Sequence, residues 1–268
     1  MIKTTSLKIS SSITDFAPLF LDLEYMFKGL KETGVNGVEL VIGLKSRWSV
    51  DKIKHLSQKY NLPVTSIHQP IWSGLGVYFD EGFFDIAKQL GAKKVVCHPL
   101  PRYSLHDKSM EDYLQRLAHM QEVVGVEVLL ENLPSQYGMK PITYFFPLKE
   151  YIDDLQRLQK ATQKYNLKLT LDIDHLHNPR PHKEPWFNDV LPSIGNIHLS
   201  SFTKTQQHLP LYMGEFQAKE FIEYLTTKKY QGQLTFEIYY PKSINAFGYD
   251  FATIKKSVDL LRKNTLTK

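Results

Sequence analysis

The sequence predicts an α/β chain that closes as a single-domain (β/α)8 TIM barrel, and three observations predict it. Short apolar, β-branched runs alternate with longer amphipathic stretches. The runs number eight. The 268 residues then divide into units of about 33, close to the roughly 250-residue norm of such a barrel. A doubly wound open sheet is the competing architecture, but no Gly-rich phosphate fingerprint follows any of the runs. No linker-like shift in composition divides the chain, so residues 1–268 are expected to form one domain.

The strand runs are SLKISS near Leu7, GVELVI at Val38, PVTSIH at Val64, KVVCHP at Val95, VEVLLEN at Val126, LKLTLDID at Leu167, GNIHLSS at Ile197 and QLTFEIYY at Leu234. Most are apolar on successive positions, as parallel strands covered on both faces require. Between them, Leu21–Thr33 has helical spacing and stops at Gly34, Ser49 can cap Val50–Tyr60, and Phe79–Leu90 ends at Gly91. Ser109 and Asp112 form a capping pair before Tyr113–Val124, which Gly125 closes. Leu148–Tyr165, Ala218–Lys229 and Phe251–Lys263 carry the same helical period. Four prolines between Asn178 and Pro192 predict a loop with one short helical turn around Trp186–Leu191.

Composition narrows the function classes. Hydrophobic residues at 42% and a formal net charge of only +5 exclude intrinsic disorder. Cys97 is the sole cysteine, so a disulfide scaffold is excluded and a buried, packing thiol is expected. The 33 Lys and Arg against 28 Asp and Glu give a mild positive field without a block of like charge, read as a solvated Lys-rich surface. The first residues, MIKTTSLKISSSITDF, lack an apolar core, and no apolar run is long enough to span a bilayer. The expectation is a cytoplasmic protein with no membrane partner, its oligomeric state left open.

The chemistry stands at the strand ends. Glu39, His68, His98, Glu131, Asp172, His198 and Glu237 each lie within or just after an apolar run, at intervals of 29, 30, 33, 41, 26 and 39 residues. In a parallel barrel, equivalent strand ends converge on one mouth, where barrel enzymes place their sites. One His or Glu after a strand is commonplace; seven in phase are not. Several carboxylates crowded in a partly buried mouth are costly unless a cation neutralises them. A divalent metal ion is therefore expected, and His with carboxylate ligands suits Zn2+, Mn2+ or related ions such as Co2+ and Mg2+. Asp174, two residues beyond Asp172, is a competing ligand should the strand continue. His177 and His182 are expected to be exposed, as are His55, His106 and His119. Trp72 and Trp186, after the third and sixth strands, either wall the mouth against a bound substrate or serve packing alone.

The segments VLLEN, LDIDH, NIHLSS and LTFEI, taken in this order, resemble the xylose-isomerase-like TIM-barrel superfamily. That group holds sugar isomerases, ketose epimerases, inosose-pathway enzymes and endonuclease IV-type apurinic endonucleases. The resemblance runs strand by strand over nearly the whole chain. It implies a four-ligand metal site of Glu131, Asp172, His198 and Glu237, and places His175 in the D-x-x-H segment with Asp172. It also implies that Glu131 and Glu237 exchange a proton with the carbon beside a metal-chelated carbonyl. His68, His98, His175 and His208 would bind substrate or additional metal. The implied activity is isomerisation or epimerisation of a small carbohydrate, free, phosphorylated or polyol-derived.

Departures from the pattern accompany the resemblance. After Glu131 the chain reads Asn-Leu-Pro-Ser-Gln, without the second glutamate and Asn-Arg pair of ketose 3-epimerases, and the segment SSFTKTQQHLPLYMGEF after His198 holds no arginine. Lys204, Arg102 and Lys140 are loop candidates for holding a phosphate. The alternative is a zinc-dependent apurinic endonuclease, the one reading in which nucleic acid would be a partner. His68, His98-Pro99, Glu131-Asn132, His175, His198 and Glu237 fit it, whereas Gln206-Gln207-His208 stands where that group has Asp-x-His, and MGEF and Ser200-Ser201 also depart from it. A second alternative is a non-catalytic sugar-binding barrel.

Overall fold

The computed structural model describes residues 8–14, 22–42, 48–69, 81–100, 105–133, 155–176, 178–238 and 250–265. Eight parallel strands close into a barrel in sequence order: β1 (Ile9–Thr14), β2 (Gly37–Val41), β3 (Val64–His68), β4 (Lys94–Cys97), β5 (Glu127–Glu131), β6 (Lys168–Asp172), β7 (Ile194–Leu199) and β8 (Gln233–Phe236). The ring closes where Ile9, Ser10 and Ser11 of β1 register with Leu234, Thr235 and Phe236 of β8. Closure removes both sheet edges, so these short strands leave no unpaired ladder. The first strand lies a little downstream of its predicted position.

The helices among the described residues are α1 (Leu23–Thr33), α2 (Val50–Lys59), α3 (Gly82–Leu90), α4 (Lys108–Val124), α5 (Leu155–Gln163), α8 (Ala218–Thr227) and α9 (Phe251–Thr265), with two single turns, α6 (Ile173–Leu176) and α7 (Phe187–Val190). Gly34, Gly91 and Gly125 end their helices as predicted, at φ of 88°, 71° and 73°, a left-handed conformation open to glycine at little cost. Ser49 caps α2 by accepting from the Lys52 amide at 3.2 Å. The predicted Ser109–Asp112 cap of α4 is not formed. Asp107 takes the extended N-cap position instead, and the helix begins at Lys108, leaving Ser109 inside its first turn.

The main core lies between sheet and helices. Phe27 and Met26 of α1, Phe84 of α3, Leu117 of α4, Leu158 of α5 and Phe221 of α8 are fully buried there against the outward residues of the strands. Each such side chain contributes about 1.5–3 kcal/mol over its exposed state. No helix among the described residues is long and apolar enough to cross a membrane.

The barrel interior is different: it is polar. Side chains two apart on a strand share a face, so the inward row that ends in Glu237 begins with Gln233 and Thr235. The row ending in His198 includes Asn196, and that ending in His68 includes Ser66. All of these are buried. The mouth residues thus stand on a hydrogen-bonded polar floor.

Candidate metal centre

Four strand-end side chains meet at the mouth. His68 ends β3, Glu131 ends β5, His198 lies in β7 and Glu237 follows β8; each offers one ligand atom, and these atoms lie within 4.8 Å of one another. Glu131 is the hub. Its Oε2 lies 2.8 Å from His68 Nε2 and 3.5 Å from His98 Nε2, and its Oε1 lies 3.5 Å from both His175 Nδ1 and His198 Nδ1. His198 Nδ1 also sits 2.7 Å from Glu237 Oε2. The ring of His68 stacks on that of His198 at 5.3 Å and leans on that of His98 at 5.0 Å.

Beside this group lies a second one, Asp172, His175 and His208. Asp172 ends β6, and its Oδ1 accepts from the amides of Asp174 and His175 at 2.7 and 3.3 Å, capping the single turn α6. Asn132 links the two strand ends: its Oδ1 accepts from the Asp172 amide at 2.7 Å and its Nδ2 donates to the Asp172 carbonyl at 3.1 Å. His208 arrives on the segment after β7, which folds back through an antiparallel bridge between Ser201 and Leu209. Gly214 makes that return possible. Its φ is +80°, and a Cβ there would stand 2.4 Å from the Phe202 carbonyl oxygen. His208 itself has φ +51°; its amide donates to Asp174 Oδ2 and its ring Nδ1 to the Glu237 carbonyl.

Burial and mutual charge set the protonation of these groups. Burial would lower His68, but the Glu131 carboxylate outweighs it and raises the imidazole to about 9. His198 is likewise raised well above its ordinary value, against the effect of burial, by Glu39, Glu131 and Glu237. Burial would raise Glu131 and Glu237, yet His198 holds both below the usual carboxylate range, joined by His68 at Glu131. Burial, then the charge of Glu237, pushes Asp172 up to about 7; burial, then Asp172, pushes Asp174 to about 9. Burial depresses His98 to about 4 and lowers His175. Two imidazoles and two carboxyls raised above their ordinary values in one crowd of acids mark a site whose donors are arranged for more positive charge than the protein supplies. Asp172 Oδ2, His98 Nδ1 and His198 Nδ1 are buried without a hydrogen-bond partner among the described residues. This donor set fits a divalent cation with nitrogen and oxygen ligands.

The structure therefore brings together Glu131, His198 and Glu237 of the expected ligand set, adds His68 to them, and groups Asp172 with His175 and His208. His98 borders Glu131. Asp174 is off the strand: β6 stops at Asp172, and Asp174, fully buried, braces the His208 amide. His182 was expected to be exposed and is buried instead, its ring 5.7 Å from Phe221 and 5.6 Å from Tyr224 of α8. His55, His106 and His119 are exposed, as expected. Trp186 lies edge-on to Phe187 at 5.7 Å, and Phe187 packs on Phe221 and Tyr224. Its ring contact belongs to the helical layer, and no contact among the described residues brings it to the ligand cluster. Lys204 is exposed on the segment after β7. Trp72, Arg102, Lys140 and His177 lie outside the described residues. Cys97 is buried, as expected, and burial pushes its thiol up to about 12.

Glu39, counted with the strand-end residues, lies in the middle of β2 beneath His198, and Asn132, named only beside Glu131, ties that strand end to Asp172; the sequence reading gave neither a bracing task. The signal for the floor was present in the period-two pairs Ser66/His68, Asn196/His198 and Thr235/Glu237, each a polar residue two positions before a strand-end ligand.

Comparison with known proteins places this geometry. An uncharacterized protein of Mycobacterium leprae is 30% identical over 135 residues, 47% of each chain, so the match spans about half the length of that relative. The 3-keto-D-glucoside 4-epimerase of E. coli superposes with a TM-score of 0.68 at 17% identity, covering 96% of this chain and 99% of its own. An AP endonuclease, family 2, from Brucella melitensis superposes with a TM-score of 0.69 at 15% identity, covering 94% and 98%. At these identities the two structures share the fold. The family described as xylose isomerase-like TIM barrel matches residues 27–264, nearly the whole of the barrel. The chain belongs to the xylose isomerase-like TIM barrel family.

Proposed function

We propose that this protein is a metal-dependent isomerase or epimerase of a small sugar, sugar phosphate or polyol-derived carbonyl compound. The observation that carries the reading is the convergence of His68, Glu131, His198 and Glu237, all buried, with ligand atoms within 4.8 Å of one another. His68, Glu131, His198 and Glu237 would hold a divalent cation (Mn2+, Zn2+, Co2+ or Mg2+), with Asp172 shared from the neighbouring group. When bound, such a cation supplies Lewis-acid polarisation of a substrate carbonyl.

The rest of the chemistry belongs to the chain. Glu131 and Glu237 reach the centre from strands three positions apart in the barrel, so their carboxylates approach a bound substrate from different sides. One takes the proton from the carbon beside the carbonyl, and the other returns a proton to the opposite face or the adjacent carbon. His175 and His208 hold substrate oxygens. The Nδ1 of each donates to a main-chain carbonyl, of Asn132 at 2.7 Å and of Glu237 at 3.1 Å, which fixes the ring and turns Nε2 towards the site.

The test begins with metal content, followed by incubation with a panel of ketoses, keto-glycosides and inosose-type ketones in D2O. Deuterium incorporation beside the carbonyl is expected with one bound divalent ion, and its loss in Glu131→Gln and Glu237→Gln. A protein with neither bound metal nor exchange on any carbonyl substrate would defeat the reading. The second ligand group, Asp172, His175 and His208, favours a second reading, a multi-metal apurinic endonuclease. Nicking of an abasic-site duplex, abolished by Glu131→Gln, would place that activity first.

A further inference from the structure

The imidazoles at the mouth are held in two different ways. His68, His175 and His208 each have Nδ1 against a main-chain carbonyl, of Gln69 at 2.7 Å, Asn132 at 2.7 Å and Glu237 at 3.1 Å. A carbonyl only accepts, so Nδ1 carries the proton and Nε2 faces the site. His198 is reversed. Its Nδ1 faces Glu237 and Glu131, and its Nε2 lies 3.0 Å from Glu39 Oε1. The contact is an ion pair and not a hydrogen bond: His198 Nε2 and Glu39 Oε1 are both buried without a hydrogen-bond partner among the described residues, so each is the nearest charged group open to the other.

The floor of the barrel determines what Glu39 can do. Its Oε2 accepts from Ser66 Oγ at 2.6 Å and Asn196 Nδ2 at 3.2 Å. Gln233 Nε2 donates to Ser66 Oγ at 3.0 Å and to Thr235 Oγ1 at 2.8 Å, and Thr235 donates to Asn196 Oδ1 at 3.0 Å. Every proton in this ring is therefore directed towards Glu39, which only receives. Fully buried beneath the ligands, it can reach substrate no more than Ser66 can.

We propose that Glu39 is a positioning residue that selects the His198 nitrogen presented to the cation, by holding the proton on Nε2 and leaving Nδ1 as the ligand atom. The inference rests on the metal reading above. Glu39→Gln tests it sharply. Two donors converge on the Oε2 position, so the amide oxygen stays there and its NH2 turns to His198, which drives the proton from Nε2 to Nδ1. The side chain keeps its size while the tautomer inverts.

The measurements are zinc affinity and long-range 1H–15N spectra of histidine-labelled protein, with and without zinc. Wild-type protein is expected to show His198 bound through Nδ1, with a slowly exchanging Nε2 proton that is also present without zinc. Glu39→Gln is expected to lose that proton and to bind zinc roughly 10–100-fold more weakly, the usual cost of losing such a support. An unchanged Nε2 proton with affinity within about threefold of wild type would overturn the proposal. Failure of wild-type protein to bind zinc would count against the metal reading alone, because zinc-free spectra recorded at a pH where His198 carries a single ring proton still decide Glu39. Should Glu39→Gln not fold, Ser66→Ala removes the shortest bond holding the carboxylate. A weakened Nε2 proton signal is then expected, and an unchanged one would overturn the proposal.

Discussion

Glu131→Gln should expose the electrostatic role of the hub. The substitution keeps shape and removes one buried charge that four imidazoles approach, at 2.8 Å for His68 and 3.5 Å for His98, His175 and His198. In metal-free protein burial would lower His68, but that carboxylate, joined by Glu39 and Glu237, outweighs it and raises the imidazole from 6.5 to about 9. At about 1.4 kcal/mol for each tenfold change in the equilibrium, the net shift amounts to ~3 kcal/mol, with Glu131 its largest favourable source, close to the roughly 3–5 kcal/mol typical of breaking a buried ion pair. The sign follows from linkage. A group whose folded pKa is raised contributes stability fully below its unfolded value, 6.5, and loses it as pH climbs through about 9. The loss in Glu131→Gln should therefore be greatest near pH 6 and fade above pH 9. Urea denaturation in the presence of a chelator measures it, and at about 2–4 °C per kcal/mol thermal unfolding should shift by several degrees. Adding Zn2+ or Mn2+ at about 100 times its dissociation constant should then stabilise wild type by roughly 2.7 kcal/mol and the variant far less. A variant as stable as wild type at pH 6, with an equal gain from metal, would refute the assignment of Glu131 as the charge centre.

Three further outcomes are expected. His182, lowered by burial and then by Lys183, should make the protein less stable as pH falls from 6.5, because the unfolded chain takes the proton first; His182→Phe should flatten that dependence in thermal scans from pH 5 to 8. Cys97, buried and pushed to about 12, should resist a disulfide reagent at pH 8 until guanidinium unfolds the chain, when one thiol should react; rapid labelling of folded protein would contradict this. Ser49→Ala should cost about 1 kcal/mol of unfolding free energy by loss of the cap on the Lys52 amide, and a cost near zero would show that α2 does not need it.

The barrel was legible because its signals are local. Hydrophobic period, glycine stops and a repeat near 33 residues are each contained in one strand–helix unit, and they place Gly34, Gly91 and Gly125 at helix ends. Where two local signals competed, the sequence could mislead. Ser109 and Asp112 have the spacing of a cap, yet Asp107 occupies the cap position two residues before Ser109. His182 sits in a proline-rich segment that reads as surface, but the segment packs on α8 and buries the ring against Phe221 and Tyr224.

By itself, the sequence determined that six acidic and imidazole side chains stand at or beside the ends of parallel strands, since phase along a strand depends only on neighbours in the chain; the seventh, Glu39, lies in the middle of β2. The tertiary structure decided how they are shared: His68 with Glu131, His198 and Glu237 in one group, Asp172 with His175 and His208 in the other. It decided too that Asp174 leaves the strand to brace His208, and that Glu39 stands under His198. Those distances depend on the tilt and stagger with which eight strands close and on the path of the segment after β7, and no stretch of chain short enough to read by period contains either.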